Sequence, residues 1–511
     1  MNSNTFFSGA WSFALVTSGI SMASSACANS STGQNENPNI VIVLADDLGW
    51  GDVGFHGSDI KTPNLDLLAE SAIQLNRFYV APISSPTRAG LLTGRYPNRM
   101  GVRHVVIPPW RDYGIEPEEI FLPQELEKAD YKHRAIIGKW HLGHSRKKYY
   151  PLNKGFSHFY GHLNGAIDYF SLEREGELDW HNDWESSKDK GYSTDLIANH
   201  AVNCIKEYSK EDNPFFIYVA FNAPHTPLQA KDEDLKLYGF DPSKPRFGKG
   251  DKTGRGNNQQ QTFAAMVTCM DRGIGEIIKA LKETGEFDNT IFLFFSDNGA
   301  DVGSSGELRG RKFLEFEGGV RAPALLSWPA QLKGGRTINQ VTGFVDVMPT
   351  LLDILNIQSK AEFDGLSMLP VLSGKTEMID RNFYLGMGAV VSNEWKFIEK
   401  GHNENMKMES DMLFKIGEDP FERNNLISLH KEKAAELWEG IKTAFEPVGE
   451  FFSGLWEGVS TGFKAFVNFF IDGINKVTGG INKISIDIPD WVPKFGGKKF
   501  GINIPQIPSF A

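Results

Sequence analysis

The 511-residue chain is short of cysteine, of net positive charge and of long apolar runs, and each shortage excludes a class of protein. Its three cysteines, Cys27, Cys204 and Cys269, cannot form a disulfide framework, so the core must stabilise the fold unaided. Lysine and arginine number 53 against 64 acidic residues, a net charge of −11. That balance excludes wholesale nucleic-acid binding, which needs clustered basic residues to neutralise phosphates. Any anionic ligand must be held locally. Beyond the N-terminal leader, no stretch approaches the ~20 apolar residues that span a bilayer. Internal repeats are absent too. With 41% hydrophobic and 23% charged residues the composition is that of a globular protein, and the length calls for two to four cores.

The leader itself has an apolar stretch from Trp11 to Ile20, then small residues at Ser24-Ser25-Ala26-Cys27-Ala28. Residues 1–28 read as a signal peptide cleaved after Ala28, although no lysine or arginine precedes the apolar stretch. The alternative is a disordered extension, and Cys27 after Ser-Ser-Ala offers a lipid anchor. Residues 29–37 form a polar spacer. The chain is expected to be exported, periplasmic or secreted.

Three continuous apolar runs follow: Asn39 to Ala45, Phe215 to Phe221 and Thr290 to Phe295. None has a polar face, as expected of strands covered on both sides. Each is followed at once by polar residues: Asp46-Asp47, Asn222 to His225, and Ser296-Asp297-Asn298. Helical spacing runs through residues 64–71, 122–129, 194–208 and 262–284. Alternating strands and helices predict an α/β sandwich, in which functional groups gather at the carboxyl ends of strands. The expected body covers residues 38–344, with a smaller α+β unit at 345–435. Residues 436–511 carry an aromatic-rich stripe at helical spacing, from Leu437 through Phe445, Phe452, Phe463 and Phe470 to Ile474. This amphipathic tail resembles the C-terminal end of a phage tail tape-measure protein. It reads either as foreign to the body or as a helix packed on it.

Asp46 and Asp47 leave one strand as adjacent carboxylates, and Asp297 and Asn298 end another with two more oxygen ligands. Clustered carboxylates repel unless a cation lies between them, and a set of oxygen ligands suits Ca²⁺ or Mg²⁺. Either pair alone is also a common loop cap.

The segment Ser84-Ser-Pro-Thr-Arg88, continuing to Thr93-Gly-Arg95, resembles the signature of the formylglycine-dependent sulfatases. Further motifs follow in order: Asp46-Asp-Leu-Gly-Trp-Gly-Asp52, Thr62-Pro-Asn-Leu-Asp66, Gly138-Lys-Trp-His-Leu-Gly143, Ala223-Pro-His225, Ser296-Asp-Asn-Gly299 and Leu308-Arg-Gly-Arg-Lys312. The resemblance implies an alkaline-phosphatase-like sandwich with a central, mostly parallel sheet and a small C-terminal α+β domain. It implies that Ser84 is oxidised to formylglycine by a sulfatase-maturating enzyme and that the hydrated gem-diol attacks sulfur. By the same resemblance, Asp46, Asp47, Asp297, Asn298 and position 84 hold Ca²⁺, with Mg²⁺ the lesser candidate. Arg88 and Lys139 steady the nucleophile. Lys312 and His225 contact the sulfate, either one placed to protonate the leaving alcohol, and His141 assists regeneration of the aldehyde. Glu317 and Arg321 read as structural. Most members carry cysteine at position 84. Serine there fits a serine-type enzyme, or a replacement that traps substrate.

Gly155 to His162, Ala166 to Phe170 and Leu308 to Phe313 are similar to the N-acetylgalactosamine-4-sulfatase branch. That similarity implies 4-O-sulfate on galactose-configured sugars, as in carrageenan or chondroitin. Candidate sugar contacts are His104, Trp110, His144, Arg146 and Asp168, because aromatic faces suit pyranose rings and polar groups orient hydroxyls. Two other functions stay open: a phosphatase or phosphonate monoester hydrolase of the same fold, and an unmodified Ser84 form that binds sulfated glycan without turnover.

Overall fold

The computed structural model describes residues 37–440, apart from His104, Met387, His402 and Glu404, together with parts of 468–507. The expected leader, its Cys27 anchor, His104 and most of the tail stripe lie outside the described residues.

Ten strands form the central sheet: β1 (Asn39–Ala45), β2 (Ile73–Leu75), β3 (His133–Lys139), β4 (His158–His162), β5 (His181–Asn182), β6 (Glu185–Ser186), β7 (Phe215–Ala220), β8 (Thr290–Ser296), β9 (Ala324–Ser327) and β10 (Arg336–Ile338). Their spatial order is β10-β2-β9-β8-β1-β7-β3-β4-β5-β6. The five in the middle, β8 to β4 in that order, are all parallel, while β9 pairs antiparallel with both neighbours. The apolar runs therefore form the parallel block, where both faces are covered. The strands pairing antiparallel are shorter and lie toward the edges.

Alternation along β1 divides the interior. Ile40, Ile42 and Leu44 face one core; Val41, Val43 and Ala45 face the other. The second core is covered by α1 (Pro63–Ser71), α3 (Ser193–Tyr208) and α4 (Gln259–Glu283). The first is covered by α2 (Ser84–Thr93), α5 (Val347–Ile354) and a four-stranded antiparallel sheet, β11 (Phe383–Gly386), β12 (Ala389–Val391), β13 (Lys396–Ile398) and β14 (Met412–Phe414). Each fully buried aliphatic side chain contributes ~1.5–3 kcal/mol, so two continuous cores account for stability without disulfides.

The expected unit at 345–435 is not packed apart from the body, because α5 and the small sheet share one core with β1 and α2. Residues 431–440 are helical, and Ala434 and Leu437 are buried in that core. The expected boundary at 435 thus falls inside a helix that packs on the body. Farther along, Ser485–Asp487 pairs antiparallel with Lys499–Gly501. Among the described residues, no helix is long and apolar enough to cross a membrane.

Candidate active site

Register brings the acidic strand ends together. Ala45 of β1 lies opposite Ser296 of β8, so Asp46-Asp47 and Asp297-Asn298 emerge side by side. The Asp47 amide donates to Asp297 Oδ1 at 3.3 Å, and Asn298 Nδ2 donates to Asp47 Oδ1 at 2.7 Å. On the other side of β1, β3 ends at Lys139, whose Nζ donates to Asp46 Oδ2 at 2.5 Å. All five groups are buried.

Ser84 is the first residue of α2, and the helical repeat puts Arg88 one turn on, over the same face. Arg88 Nε donates to Ser84 Oγ at 2.9 Å, and Ser84 Oγ donates to Asp297 Oδ2 at 2.6 Å. The guanidinium also reaches Asp297 Oδ2 at 2.8 Å through Nη2 and the Lys139 carbonyl at 3.2 Å through Nη1. His141 Nδ1 lies 3.3 Å from Ser84 Oγ. One hydroxyl is therefore met by a cation, a carboxylate and an imidazole. Lys312 Nζ contacts Asp47 at 2.6 Å, and His225 Nε2 approaches the same carboxylate at 3.7 Å. Asp47 and His141 adopt positive φ of 69° and 59°. Such backbone costs about 1–3 kcal/mol and concentrates at functional sites.

Charge balance in this pocket is incomplete in a specific way. Burial, then Asp297, push the Asp46 carboxyl well above its ordinary range, against the pull of Lys139. Asp47 is held low, because His225 and Lys312 overcome its burial. Burial, reinforced by Lys139 and Arg88, depresses His141 far below the usual histidine value. His225 falls to about 4 through burial, although Asp47 opposes the shift. Lys312 is raised, since Asp47 outweighs its burial.

Two buried oxygens, Asp46 Oδ1 and Asn298 Oδ1, have no hydrogen-bond partner among the described residues. Orphaned buried oxygens normally carry an unfavourable desolvation cost. Here both belong to residues of a hard-cation donor set. A divalent cation would satisfy them and would remove the mutual repulsion that raises Asp46, so the residues present fit such an ion.

A model of the sulfatase family, described as Sulfatase, matches residues 38–357, and one described as N-sulphoglucosamine sulphohydrolase, C-terminal, matches residues 310–447. The chain belongs to the sulfatase family. It is 32% identical over 357 residues to arylsulfatase J of Mus musculus, covering 67% of this chain and 57% of that protein. It is 30% identical over 460 residues to N-acetylgalactosamine-6-sulfatase of Mus musculus, covering 78% and 84%. The crystal structure of Ps i-CgsB in complex with k-i-k-neocarrahexaose superposes with a TM-score of 0.71 at 30% identity, covering 80% of this chain and 92% of that one. Sulfatases are sulfuric ester hydrolases, and the large mixed sheet with its small C-terminal sheet is their alkaline-phosphatase-like architecture.

Beside the sulfatase pocket lies a cleft of about 450 Å³ lined by Trp110, His144, Asn164, Arg174, Asp179 and His181, among others. The two spaces share a wall. The His141 amide donates to the Leu163 carbonyl, and Leu163 and Asn164 line the cleft. Trp110 is 73% exposed, a ring face open to a sugar. Of the other expected sugar contacts, Arg146 is paired at the surface with Asp112 at 2.5 Å. Asp168 caps its own loop instead, accepting from the amides of Phe170 and Ser171 and from Gln229. Asn164, Arg174 and Asp179 went unnoticed in the sequence because Asn164 and Asp179 come from irregular loops and Arg174 from a two-residue strand of a short hairpin. His162, the last residue of β4, is buried and ends the Gly155 to His162 segment without having stood out in it. Its Nε2 has no hydrogen-bond partner among the described residues.

Proposed function

We propose that this chain hydrolyses sulfate monoesters of a sulfated glycan, using formylglycine formed from Ser84 by a sulfatase-maturating enzyme. The observation that carries the reading is the convergence of Arg88, Asp297 and His141 on Ser84 Oγ. Arg88 and Asp297 fix the attacking atom from two directions. Modified to formylglycine, position 84 supplies a hydrated gem-diol, a far better nucleophile than a serine hydroxyl. His141, kept neutral by burial and by Lys139 and Arg88, can accept a proton there at neutral pH. Lys312 carries its proton at neutral pH and stands beside Asp47, so it is the better placed of the two basic groups to assist the leaving oxygen; His225 is neutral there. Asp46, Asp47, Asp297 and Asn298 would hold Ca²⁺, which would supply Lewis-acid polarisation of a sulfate oxygen and lower the pKa of the nucleophile.

The substrate we propose is a galactose-configured sugar of carrageenan or chondroitin type sulfated at O4, seated with its ring over Trp110. Similarity to N-acetylgalactosamine-6-sulfatase over 78% of the chain favours O6 as a second reading. Glycans of this size are met outside the cytoplasm, which accords with export by the apolar leader.

Sulfate release from defined 4-O- and 6-O-sulfated saccharides tests the proposal, using protein co-expressed with a maturating enzyme. Mass spectrometry of the peptide spanning Ser84 shows whether the modification is present. Modified protein that releases no sulfate from any member of the panel overturns the reading. Equal turnover of matched phosphate and sulfate esters makes it a phosphatase instead. Unmodified Ser84 in protein from the native host, with glycan binding retained, makes it a binding protein.

A further inference from the structure

At the end of β4 opposite the catalytic pocket, two imidazoles and a thiol face one another. His158 is the first residue of β4, and His200 and Cys204 are one turn apart on α3. The four-residue spacing puts His200 and Cys204 on the same helix face. One ligand atom from each of the three lies within 4.8 Å of the others. His158 Nε2 and His200 Nε2 are 2.7 Å apart, and Cys204 is buried.

The surroundings orient this set. His158 Nδ1 donates to Asp183 Oδ1 at 2.9 Å, and Asp183 also accepts from the Phe159 amide at 2.9 Å. A carboxylate behind a histidine fixes the tautomer with the Nε2 lone pair directed away from it, the arrangement that supports metal-ligating histidines. The His200 ring is stacked on Tyr160, with centroids 3.9 Å apart and planes within 9°. The catalytic end of β4 is about 13 Å away at ~3.3 Å per residue, so the two clusters are separate.

We propose that His158, His200 and Cys204 bind a divalent metal of the zinc class, with water as the fourth ligand. Imidazole and thiolate ligands suit Zn²⁺, in contrast to the all-oxygen set around Asp46. Zn–N distances of ~2.0–2.1 Å in a tetrahedral site put two ligand nitrogens ~3.3 Å apart, so the rings part by ~0.6 Å to admit the ion. Without metal, the His200 Nε2–H donates to His158 Nε2 and the pair is simply hydrogen-bonded. The metal pins the start of β4 to α3; its role is structural, and Asp183 is a positioning residue.

The test uses the full chain, stripped of metal by a chelator and titrated with Co²⁺ alone. A thiolate-to-cobalt charge-transfer band in the near ultraviolet should saturate at one equivalent and be displaced by Zn²⁺. Cobalt in the catalytic pocket gives no such band, because neither described cysteine, Cys204 or Cys269, is among its ligands. The band should vanish in Cys204→Ser and in His200→Ala and persist in Cys269→Ser. Asp183→Asn should weaken Co²⁺ binding roughly 10–100-fold. No band in the wild type, or a band that survives Cys204→Ser, overturns the proposal. The wild-type titration decides even where Cys204→Ser fails to fold.

Discussion

Among the described residues, two of the buried charge clusters are finished differently. Around Lys396, the ammonium contacts Glu317 at 2.9 Å and Glu422 at 2.8 Å. Tyr79 donates to Glu317, and the Glu317 amide donates to Glu422 Oε2 at 2.7 Å. The second cluster, around Ser84, also pairs acids with bases, yet it leaves Asp46 Oδ1 and Asn298 Oδ1 without hydrogen-bond partners among the described residues. Equal burial thus serves opposite ends. In the Lys396 cluster the one oxygen without a hydrogen bond, Glu422 Oε1, still lies 2.8 Å from the ammonium, and the cluster joins β13 to the segment before β9. In the Ser84 cluster Asp46 Oδ1 is 3.9 Å from Arg88 and Asn298 Oδ1 has no partner among the described residues, so that cluster is left open for what it must bind. A buried ionic cluster marks a functional site when it is incomplete, not merely when it is charged.

The largest expected effect lies in the open cluster. Ser84→Ala removes the atom on which Arg88, Asp297 and His141 converge and should lower kcat by roughly 10³-fold or more, with little change in melting temperature. Sulfate release by the matured wild type and variant measures it. Activity within tenfold of wild type would show that position 84 is not the nucleophile.

Lys396→Met should do the reverse. It strands Glu317 and Glu422 in the core and should cost about 3–5 kcal/mol of stability, read as a fall in the denaturant midpoint. The fraction still folded should keep its activity. Substrate turnover lost ahead of structure would mean the two clusters are coupled.

Glu315 gives a pH-dependent comparison near the Lys396 cluster. Burial pushes its carboxyl up to about 8, although Asn403 donates to it at 2.6 Å. The folded value lies above the unfolded one, so the stabilisation is fully present below about pH 4.5 and is lost as pH rises toward 8. Thermal melts between pH 5 and 8 should fall with rising pH, and Glu315→Gln should flatten that slope. An unchanged slope would assign the effect to another group.

The parallel block was legible in the sequence because strands buried on both faces read as unbroken apolar runs, and Asp46 or Asp297 could be placed simply by following each run to its end. Long-range packing was not legible. Nothing local in Ala324–Ser327 foretells an antiparallel strand beside β8, and nothing around residue 345 reveals that α5 packs into the core of the body. Asp168 carries the right chemistry for a sugar contact, but its carboxylate is occupied by two amides and Gln229. Likewise the four-residue spacing of His200 and Cys204 is visible on α3, while His158 reaches them only through the sheet.

The smallest expected effect sharpens the comparison most, because its sign is opposite to that of Lys396→Met. In metal-free protein, Asp46 is a buried carboxyl crowded by Asp297 and Asp47, with one oxygen unpaired. Asp46→Asn keeps an acceptor for Lys139 and removes the repulsion, so it should raise stability by about 1 kcal/mol in a chelator, as substitutions of strained functional groups commonly do. Adding Ca²⁺ should reverse the order. At a hundred times the dissociation constant the wild type gains ~2.7 kcal/mol, and the variant, short of one ligand charge, gains less. Melting curves of both proteins with and without Ca²⁺ provide the four values needed. If Asp46→Asn is the less stable protein in the chelator, the open cluster is held together as the Lys396 cluster is, and the missing partners of Asp46 and Asn298 require another explanation.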